Sequence, residues 1–513
     1  GNPQAAILEV IGQEQDTGIE FNYACTKHDI RKVWPDEIES ELAQLTESTI
    51  EELAGAYTDL TELSFITIDS HSTVDIDDAI HVIKTDNGWK LNVAIADPSA
   101  VIQKGSEIEK EALKRASSLY FPGQHISMLP DKIAGDLCSL KEGALRLAKV
   151  VQIDVSPTGE LLDYSIVEAA IKSKKKFSYS ELSHHYETPS ANISPELSDM
   201  LTELKLLTDT LLNSRKTKAL VQADRKDYFL ELDEQQKISD IKIRMTTPAH
   251  KIVEEAMVAT NRCIADFLVK QAVPSIFVTH QGLRSDRLDA VNKVLTESLP
   301  GYQANAISEL EGFVQTVQTV SASDELNPLQ LLISRQLDKS VLASEAKPHF
   351  GMGLKQYTTF TSPLRKAQDY LIHRQISALL QGKKEPIDHS RLTKLAEATQ
   401  AIRNTVNDTE QWLKCQFIAK QQGTFDATVL RVFSTGFQVK LIDNGIEGFV
   451  STKEMEGKYS FNQERLLITS KGRSFELDQI VKVHLKNVDW SRKQVQFALF
   501  QEKALEKSEE TAS

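Results

Sequence analysis

Four carboxylates within ten residues constrain this chain more than any other feature. They lie in Phe65-Ile-Thr-Ile-Asp69-Ser-His-Ser-Thr-Val-Asp75-Ile-Asp77-Asp78-Ala79-Ile80, after one apolar run and before the next. Such a stretch reads as a loop between two buried strands. If the four side chains converge without a cation, they repel one another, raise one another's pKa values and destabilise the fold. A hard divalent ion with oxygen ligands resolves that conflict; Mg2+ is the natural choice, with Mn2+ as the substitute. A solvated acidic turn is the plainer alternative, because Asp-rich turns are common. An EF-hand loop fails on spacing: Ala79 and Ile80 stand where it needs its turn glycine and next ligand.

The 513 residues are too many for one hydrophobic core, so two to four domains are expected. No stretch reaches the roughly 18 apolar residues of a membrane span. The four cysteines, Cys25, Cys138, Cys263 and Cys415, form no CxxC pair. That spacing argues against a zinc site or a disulfide framework and fits a reducing, cytoplasmic setting. A net charge of −14 runs against nucleic-acid binding, which usually calls for a basic face. A metal centre rich in carboxylates would account for part of that charge, and basic residues still cluster locally in Ile171-Lys-Ser-Lys-Lys-Lys-Phe177. The chain begins at Gly1 rather than Met, as a fragment or trimmed product would.

Periodicity divides the rest. Ala5–Ile11 and Ile19–Tyr23 read as short strands, and about 36–56 as a helix beginning after Pro35. Strands follow at Phe65–Ile68, Ala79–Ile83 and Trp89–Ala96, with an Asn-Gly turn signal at Asn87-Gly88. Helices are expected at about 195–219, at 252–271, from Ser362-Pro363 and at about 390–421. On the 252–271 helix, Val253, Ala256, Met257, Cys263, Ile264 and Phe267 share one face. From 424 to 500, five short strands with glycine turns predict a small OB-type barrel.

The acidic segment is similar to the catalytic signature of the ribonuclease II (RNB) family, T-I-D, a spacer, then D-x-D-D-A. Further matches follow in the family's order: Val93-Ala-Ile-Ala-Asp97-Pro98, Leu119-Tyr120-Phe-Pro-Gly123, Met128-Leu-Pro130, Leu137-Cys-Ser-Leu140, Ile252-Val-Glu-Glu255, and Tyr357-Thr-Thr-Phe-Thr-Ser-Pro-Leu-Arg365-Lys. Within the family the chain resembles the ribonuclease II branch more than the ribonuclease R branch, whose members carry longer lysine-rich tails. The resemblance implies an α+β architecture in five parts. Residues 1–57 would be a partial cold-shock (OB) domain and linker, 58–400 the RNB catalytic domain and 401–423 a connecting helix. An S1-type OB β-barrel would span 424–501, and a disordered tail 502–513. It also implies processive 3′→5′ hydrolysis of single-stranded RNA to nucleoside 5′-monophosphates by a monomeric, Mg2+-dependent enzyme.

Specific residues inherit roles from that resemblance. Asp69, Asp75, Asp77 and Asp78 become the metal centre, with Asp77 nearest the attacking water and the most damaging to lose. Arg365, expected in the first turn of a helix capped by Ser362, becomes the stabiliser of transition-state charge. An ordinary i, i+4 pair with Asp369 is its structural alternative. Tyr120, before a Pro-Gly turn, is expected to stack on a terminal base, with Phe229 opposite it, and Tyr179 to position the RNA end. Lys172, Lys174, Lys175 and Lys176 could track phosphates or form a solvated edge. Phe437 and Phe449, near Lys440, offer an aromatic and basic face on the barrel, unless they are core. His71 and His81 lack metal-ligand spacing and read as non-catalytic. The rival from another class is an RNA-binding protein with an inert centre; a structural calcium-binding protein is a second.

Overall fold

Alternating and continuous apolar runs between residues 58 and 178 build a seven-stranded mixed sheet. In the computed structural model, which describes residues 7, 9–189, 192–221, 226–455, 457–470 and 472–500, its strands are β1 (Thr58–Asp59), β2 (Ile66–Asp69), β3 (Asp78–Thr85) and β4 (Gly88–Ala96), followed, after a separate hairpin of β5 (Leu119–Phe121) and β6 (Gln124–Ile126), by β7 (Leu145–Val155), β8 (Leu161–Lys172) and β9 (Lys175–Ser178). The order is β1-β8-β7-β4-β3-β2-β9. The outermost pairs, β1 with β8 and β2 with β9, are parallel; the inner ladders are antiparallel. The β3–β4 turn closes with Thr85 opposite Gly88. Gly88 has φ +125°, and a Cβ there would lie 2.0 Å from the Val155 carbonyl oxygen, so only glycine fits.

Helices Pro195–Lys218 and Pro248–Gln271 cover the sheet. The predicted face of the second is the packed one: Ala256, Cys263 and Ile264 are buried in the main core, and Val253, Met257 and Phe267 pack against it. A second core gathers around the C-terminal part. There the hairpin of β10 (Asp227–Leu232) and β11 (Ile238–Arg244) meets the long helix His389–Ala419 and a barrel. A short ladder of β12 (Phe277–Thr279) and β13 (Val341–Ala343) stands apart. The barrel strands are β14 (Thr424–Phe433), β15 (Gly436–Leu441) and β16 (Glu447–Ser451), then, after a three-stranded sheet of β17 (Ser460–Asn462), β18 (Leu467–Ser470) and β19 (Arg473–Phe475), β20 (Ile480–Asp489) and β21 (Gln494–Leu499). It closes in the order β14-β15-β16-β21-β20, and all five strands coincide with those expected. The small β17–β19 sheet was not foreseen.

Three expectations change. Ile19–Tyr23 is not a strand but the start of helix α1 (Ile19–Lys27), because Phe21, Ala24 and Cys25 bury one helical face at i, i+3, i+4. The helix expected at 36–56 is two, α2 (Ile38–Gln44) and α3 (Glu47–Ala54). Leu45 between them is extended, and Thr46 starts the second with a capping box to Thr49. Phe437 is not an RNA-facing ring: along β15 every second side chain points inward, and Phe437 is fully buried against Phe475 at 4.9 Å. Most of Ala5–Ile11, and the tail 502–513, lie outside the described residues; the described part before Thr58 contains helices and no strand.

Candidate active site

Asp69 is the last residue of β2 and Asp78 the first of β3, while Asp75 and Asp77 sit in the loop joining them. Several groups hold that loop in shape. The Ser139 hydroxyl accepts the Ile76 N–H at 3.1 Å and donates to the Val74 carbonyl at 2.5 Å, and Leu140 N–H donates to the Ile76 carbonyl. The Leu137–Leu140 motif is therefore a staple for the acidic loop. From β9, the Lys176 ammonium donates to the Thr73 carbonyl at 2.7 Å, which gives this lysine a structural partner rather than a free phosphate-facing role. Lys172, Lys174 and Lys175 are exposed. The Ser70 N–H and Thr73 hydroxyl both donate to Asp69 Oδ1.

Burial dominates the electrostatics. It pushes the Asp77 carboxyl up to about 7, although Arg365 and the Leu364 N–H pull the other way. Burial, with Asp77 and Asp69 nearby, pushes Asp78 up to about 8, and Asp69 is also raised chiefly by burial. For Asp69, Asp77 and Asp78, loss of water contributes more to these shifts than the neighbouring carboxylates do. Asp78 Oδ2 is buried and has no hydrogen-bond partner among the described residues. An unpartnered carboxylate oxygen amid three more carboxylates fits a hard cation. The coordination sphere is gathered but not assembled: among the described residues no three His, Cys, Asp or Glu groups stand in a metal-holding arrangement. The reason is visible. Asp75 accepts the Tyr120 hydroxyl, and Asp77 accepts Arg365 Nε and the Leu364 N–H, each at 2.9 Å.

Arg365 reaches this cup from a different local structure than expected. No helix starts at Ser362-Pro363; Ser362–Lys366 is a turn, and the helix is Ala367–Leu380. Lys366 is drawn into a bridge with Ser117, Ser118 N–H donates to the Arg365 carbonyl, and Ala367 N–H donates to the Ala116 carbonyl. This long-range pairing holds Lys366 extended and delays the helix. The ion pair with Asp369 is absent too, because Asp369 accepts the Ser362 N–H and the Thr359 hydroxyl. Burial is the largest single influence and opposes the Arg365 cation, but Asp77, Tyr120 and Asp369 together hold the guanidinium's pKa above its usual value. Behind the turn, His373 stacks on Phe360 at 4.0 Å and donates through Nε2 to its carbonyl. His373 also faces the buried Asp97–Lys149 pair, which explains the Val93–Pro98 motif. Burial alone would raise the Asp97 carboxyl; Lys149 and His373 hold it well below the usual range.

The aromatic residues divide by strand face. In β5, Leu119 and Phe121 point into the second core, while Tyr120 is 45% exposed on the opposite face, against His125 of β6 at 4.7 Å. Tyr179 follows directly after the Asp69–Ser178 pair of β2 and β9, within the field of Asp69 and Asp78, and stacks on His250 at 3.9 Å. Phe229 carries the Arg244 guanidinium over its ring at 4.0 Å, while its neighbours Tyr228 and Leu230 face the second core. On the barrel exterior, half-buried Phe449 lies 6.3 Å from exposed Phe433, with Arg431 exposed on the same strand as Phe433. Sequence reasoning missed His125, His250, Arg244 and Phe433, and quoted Ser139 in a motif without giving it a role. Of these, His125 had a signal: it lies across from Tyr120 in a hairpin turning on Pro122-Gly123. His71 plays no part in the cup beyond its carbonyl; His81 is buried against Phe65 and Asn92.

A model of the RNB domain matches residues 57–382, well over half of the chain. The chain belongs to the RNB family. The S1 RNA-binding domain model matches residues 421–500, the closed barrel. The RNB chain is 34% identical over 458 residues to exoribonuclease 2 of Haemophilus influenzae (strain PittGG), covering 84% of this chain and 69% of that one. It is 30% identical over 523 residues to ribonuclease R of Escherichia coli (strain K12), covering 96% and 63%. Its fold matches that of Mycoplasma genitalium RNase R with a TM-score of 0.86 at 23% identity, over 96% of this chain and 79% of that one. This RNB protein is an exoribonuclease. No helix among its described residues is long and apolar enough to cross a membrane.

Proposed function

We propose that this RNB exoribonuclease degrades single-stranded RNA processively from the 3′ end to nucleoside 5′-monophosphates, with Mg2+ held by Asp69, Asp75, Asp77 and Asp78. What supports this reading is a buried carboxylate oxygen of Asp78 without a partner, with Asp69 and Asp77 within its field, Asp75 within theirs, and Arg365 paired to Asp77. Divalent-metal dependence accompanies the family, and the all-oxygen donor set supports magnesium in particular, with manganese able to substitute. When bound, the ion would activate the attacking water and polarise the scissile phosphate.

The chain's own residues do the rest. Arg365, 41% exposed beside Asp77, offers a guanidinium that a phosphate can reach and whose charge offsets that developing on the phosphoryl oxygens. Asp77 orients Arg365 and stands ready to accept hydrogen bonds from water. Tyr120 stacks on the terminal base; Phe229, with Arg244, lies on the other side of the clamp; and Tyr179, braced by His250, positions the RNA end. Stacking reads no base identity, which suits degradation without sequence preference. Lys174 and Lys175 track phosphates, and Phe449 with Phe433 and Arg431 offers the barrel's contact to the incoming strand. The buried, free state of all four cysteines supports a reducing cytoplasmic setting, and the enzyme acts as a monomer.

The test is incubation with 5′-labelled oligoadenylate, with Mg2+ or with EDTA. With Mg2+ alone, the labelled band is expected to pass from full length to a short limit product with few intermediates, and nucleoside 5′-monophosphates to appear by chromatography. RNA binding with no metal-dependent release would instead leave an RNA-binding protein with an inert centre.

A further inference from the structure

Helix α1 lies outside both matched regions, 57–382 and 421–500, yet it touches three separate parts of the molecule. Phe21 stacks on Phe121 at 5.8 Å with the rings 26° apart. Phe121 is the neighbour of Tyr120 in β5, on the face turned away from the cup, so α1 packs on the back of the strand whose front presents Tyr120 to Asp75. Glu20, almost fully buried, accepts the Lys237 ammonium at the start of β11 and the Gln416 amide of the long helix at 2.8 Å. At the other end, Lys27 and His28 both bond Asp408 of that helix. Tyr23 meets Trp412 edge-on at 5.6 Å, and Lys493, from the turn between β20 and β21, lies over both rings. The two hairpins also meet at their tips, where a Cβ on Gly123 would lie 3.1 Å from the Gln236 side chain.

One core therefore backs both hairpins whose fronts carry Tyr120 and Phe229, takes in the long helix and the barrel, and is closed behind the Tyr120 hairpin by Phe21 of α1. We propose that α1 is a strut that sets the position of the Tyr120 hairpin, with Phe21 as a positioning residue for holding the RNA 3′ end. This rests on the reading of Tyr120 as a base-stacking residue. Phe21 touches no substrate; it acts through Phe121. A ring removed from behind β5 leaves a gap into which the strand can relax, which moves Tyr120 off its stacking position and loosens its bond to Asp75, while Asp69 and Asp77 keep their own hydrogen bonds. Short RNA, which depends on few contacts, should register the loss most. Long RNA, held also by the barrel, should register it least.

The experiment compares the full chain with Phe21→Ala, Phe21→Leu, Tyr120→Ala, the Phe21→Ala/Tyr120→Ala double variant and Ile50→Val, which trims the other core. Product ladders and KM on a short 5′-labelled oligoadenylate are read beside kcat on long poly(A). The expected result for Phe21→Ala is a longer limit product and a KM on the short substrate raised about five- to tenfold, with kcat on long RNA changed less than about twofold. Phe21→Leu should fall between it and the parent, and carries the comparison if the alanine variant does not fold. The double variant should be no worse than Tyr120→Ala, because both changes remove one contact. A parental ladder for Phe21→Ala beside an altered one for Tyr120→Ala overturns the strut and leaves the stacking reading standing. So do effects that multiply in the double variant, or the same lengthening in Ile50→Val. An unchanged ladder for Tyr120→Ala removes the stacking reading and the strut with it.

Discussion

Replacing Asp77 with Asn should abolish cleavage while leaving the metal-free fold at least as stable as the parent. Asp77 is buried, and its carboxyl is pushed from the ordinary 3.8 up to about 7, first by loss of water. A carboxyl that binds its proton more tightly when folded destabilises the fold as pH rises through that interval. The gap, at 1.36 kcal/mol per pH unit, is about 4 kcal/mol by pH 8. Asn removes that charge. It can still accept the Leu364 N–H, but its amide would face the Arg365 Nε–H donor to donor, returning about 1–3 kcal/mol. The net change in EDTA should lie between zero and a gain of about 3 kcal/mol. With magnesium the order reverses. At a hundredfold excess over Kd the parent should gain about 2.7 kcal/mol, and most of that gain should vanish in the variant. Turnover should fall at least about a thousandfold, because the substitution affects both the metal centre and the orientation of Arg365. RNA affinity should hold within about threefold, since Asp77 exposes little surface to a ligand. Thermal unfolding at pH 8 in EDTA and in magnesium, beside single-turnover cleavage and filter binding, reads all four quantities. Turnover within about tenfold of the parent, or an undiminished magnesium gain, would refute the reasoning.

Tyr120→Ala should lengthen the final product and weaken the hold on short RNA by roughly 1–3 kcal/mol, read from product ladders and short-substrate KM. Ser139→Ala strips the staple from the acidic loop, leaving the Ile76 N–H buried and unpaired; about 1–3 kcal/mol of stability and much of the magnesium gain should go, measured by the same melts. On the barrel, Phe437→Ala should cost about 3–5 kcal/mol by opening the core, whereas Phe449→Ala should leave the melt nearly unchanged and reduce RNA affinity. Burial depresses the His349 imidazole from 6.5 to about 4. As pH falls through that window the unfolded chain takes up the proton first, so stability is lost, by about 2 kcal/mol between pH 6.5 and pH 5. Urea unfolding in EDTA should show a smaller acid-side loss for His349→Gln than for the parent.

Local pattern determined much of this molecule. The aspartate cluster between apolar runs, the continuous apolar runs of β3 and β4, the apolar face of helix Pro248–Gln271 and the five barrel strands are all set by side-chain pattern and turn chemistry within a few residues. The candidates for the site were legible for the same reason: carboxylates in such numbers, and an arginine in a run that resembles the family's, are chemical facts of the chain. What the sequence could not decide was every feature that depends on residues far apart in it. Ser362-Pro363 carries a sound helix-start signal, yet the bridge between Lys366 and Ser117 overrides it. Phe437 and Phe449 are both aromatic residues on strands, and only the closed barrel turns one inward and leaves the other half exposed. Ile19–Tyr23 is apolar enough for a strand; a helix forms because the second core offers a groove matched to a 3.6-residue period. The protonation of the aspartates is likewise a tertiary property, because it follows from how completely the assembled sheet, the Ser139 staple and the Arg365 turn exclude water. Which groups are candidates for the chemistry is written locally, whereas their charge state and their neighbours come only with burial.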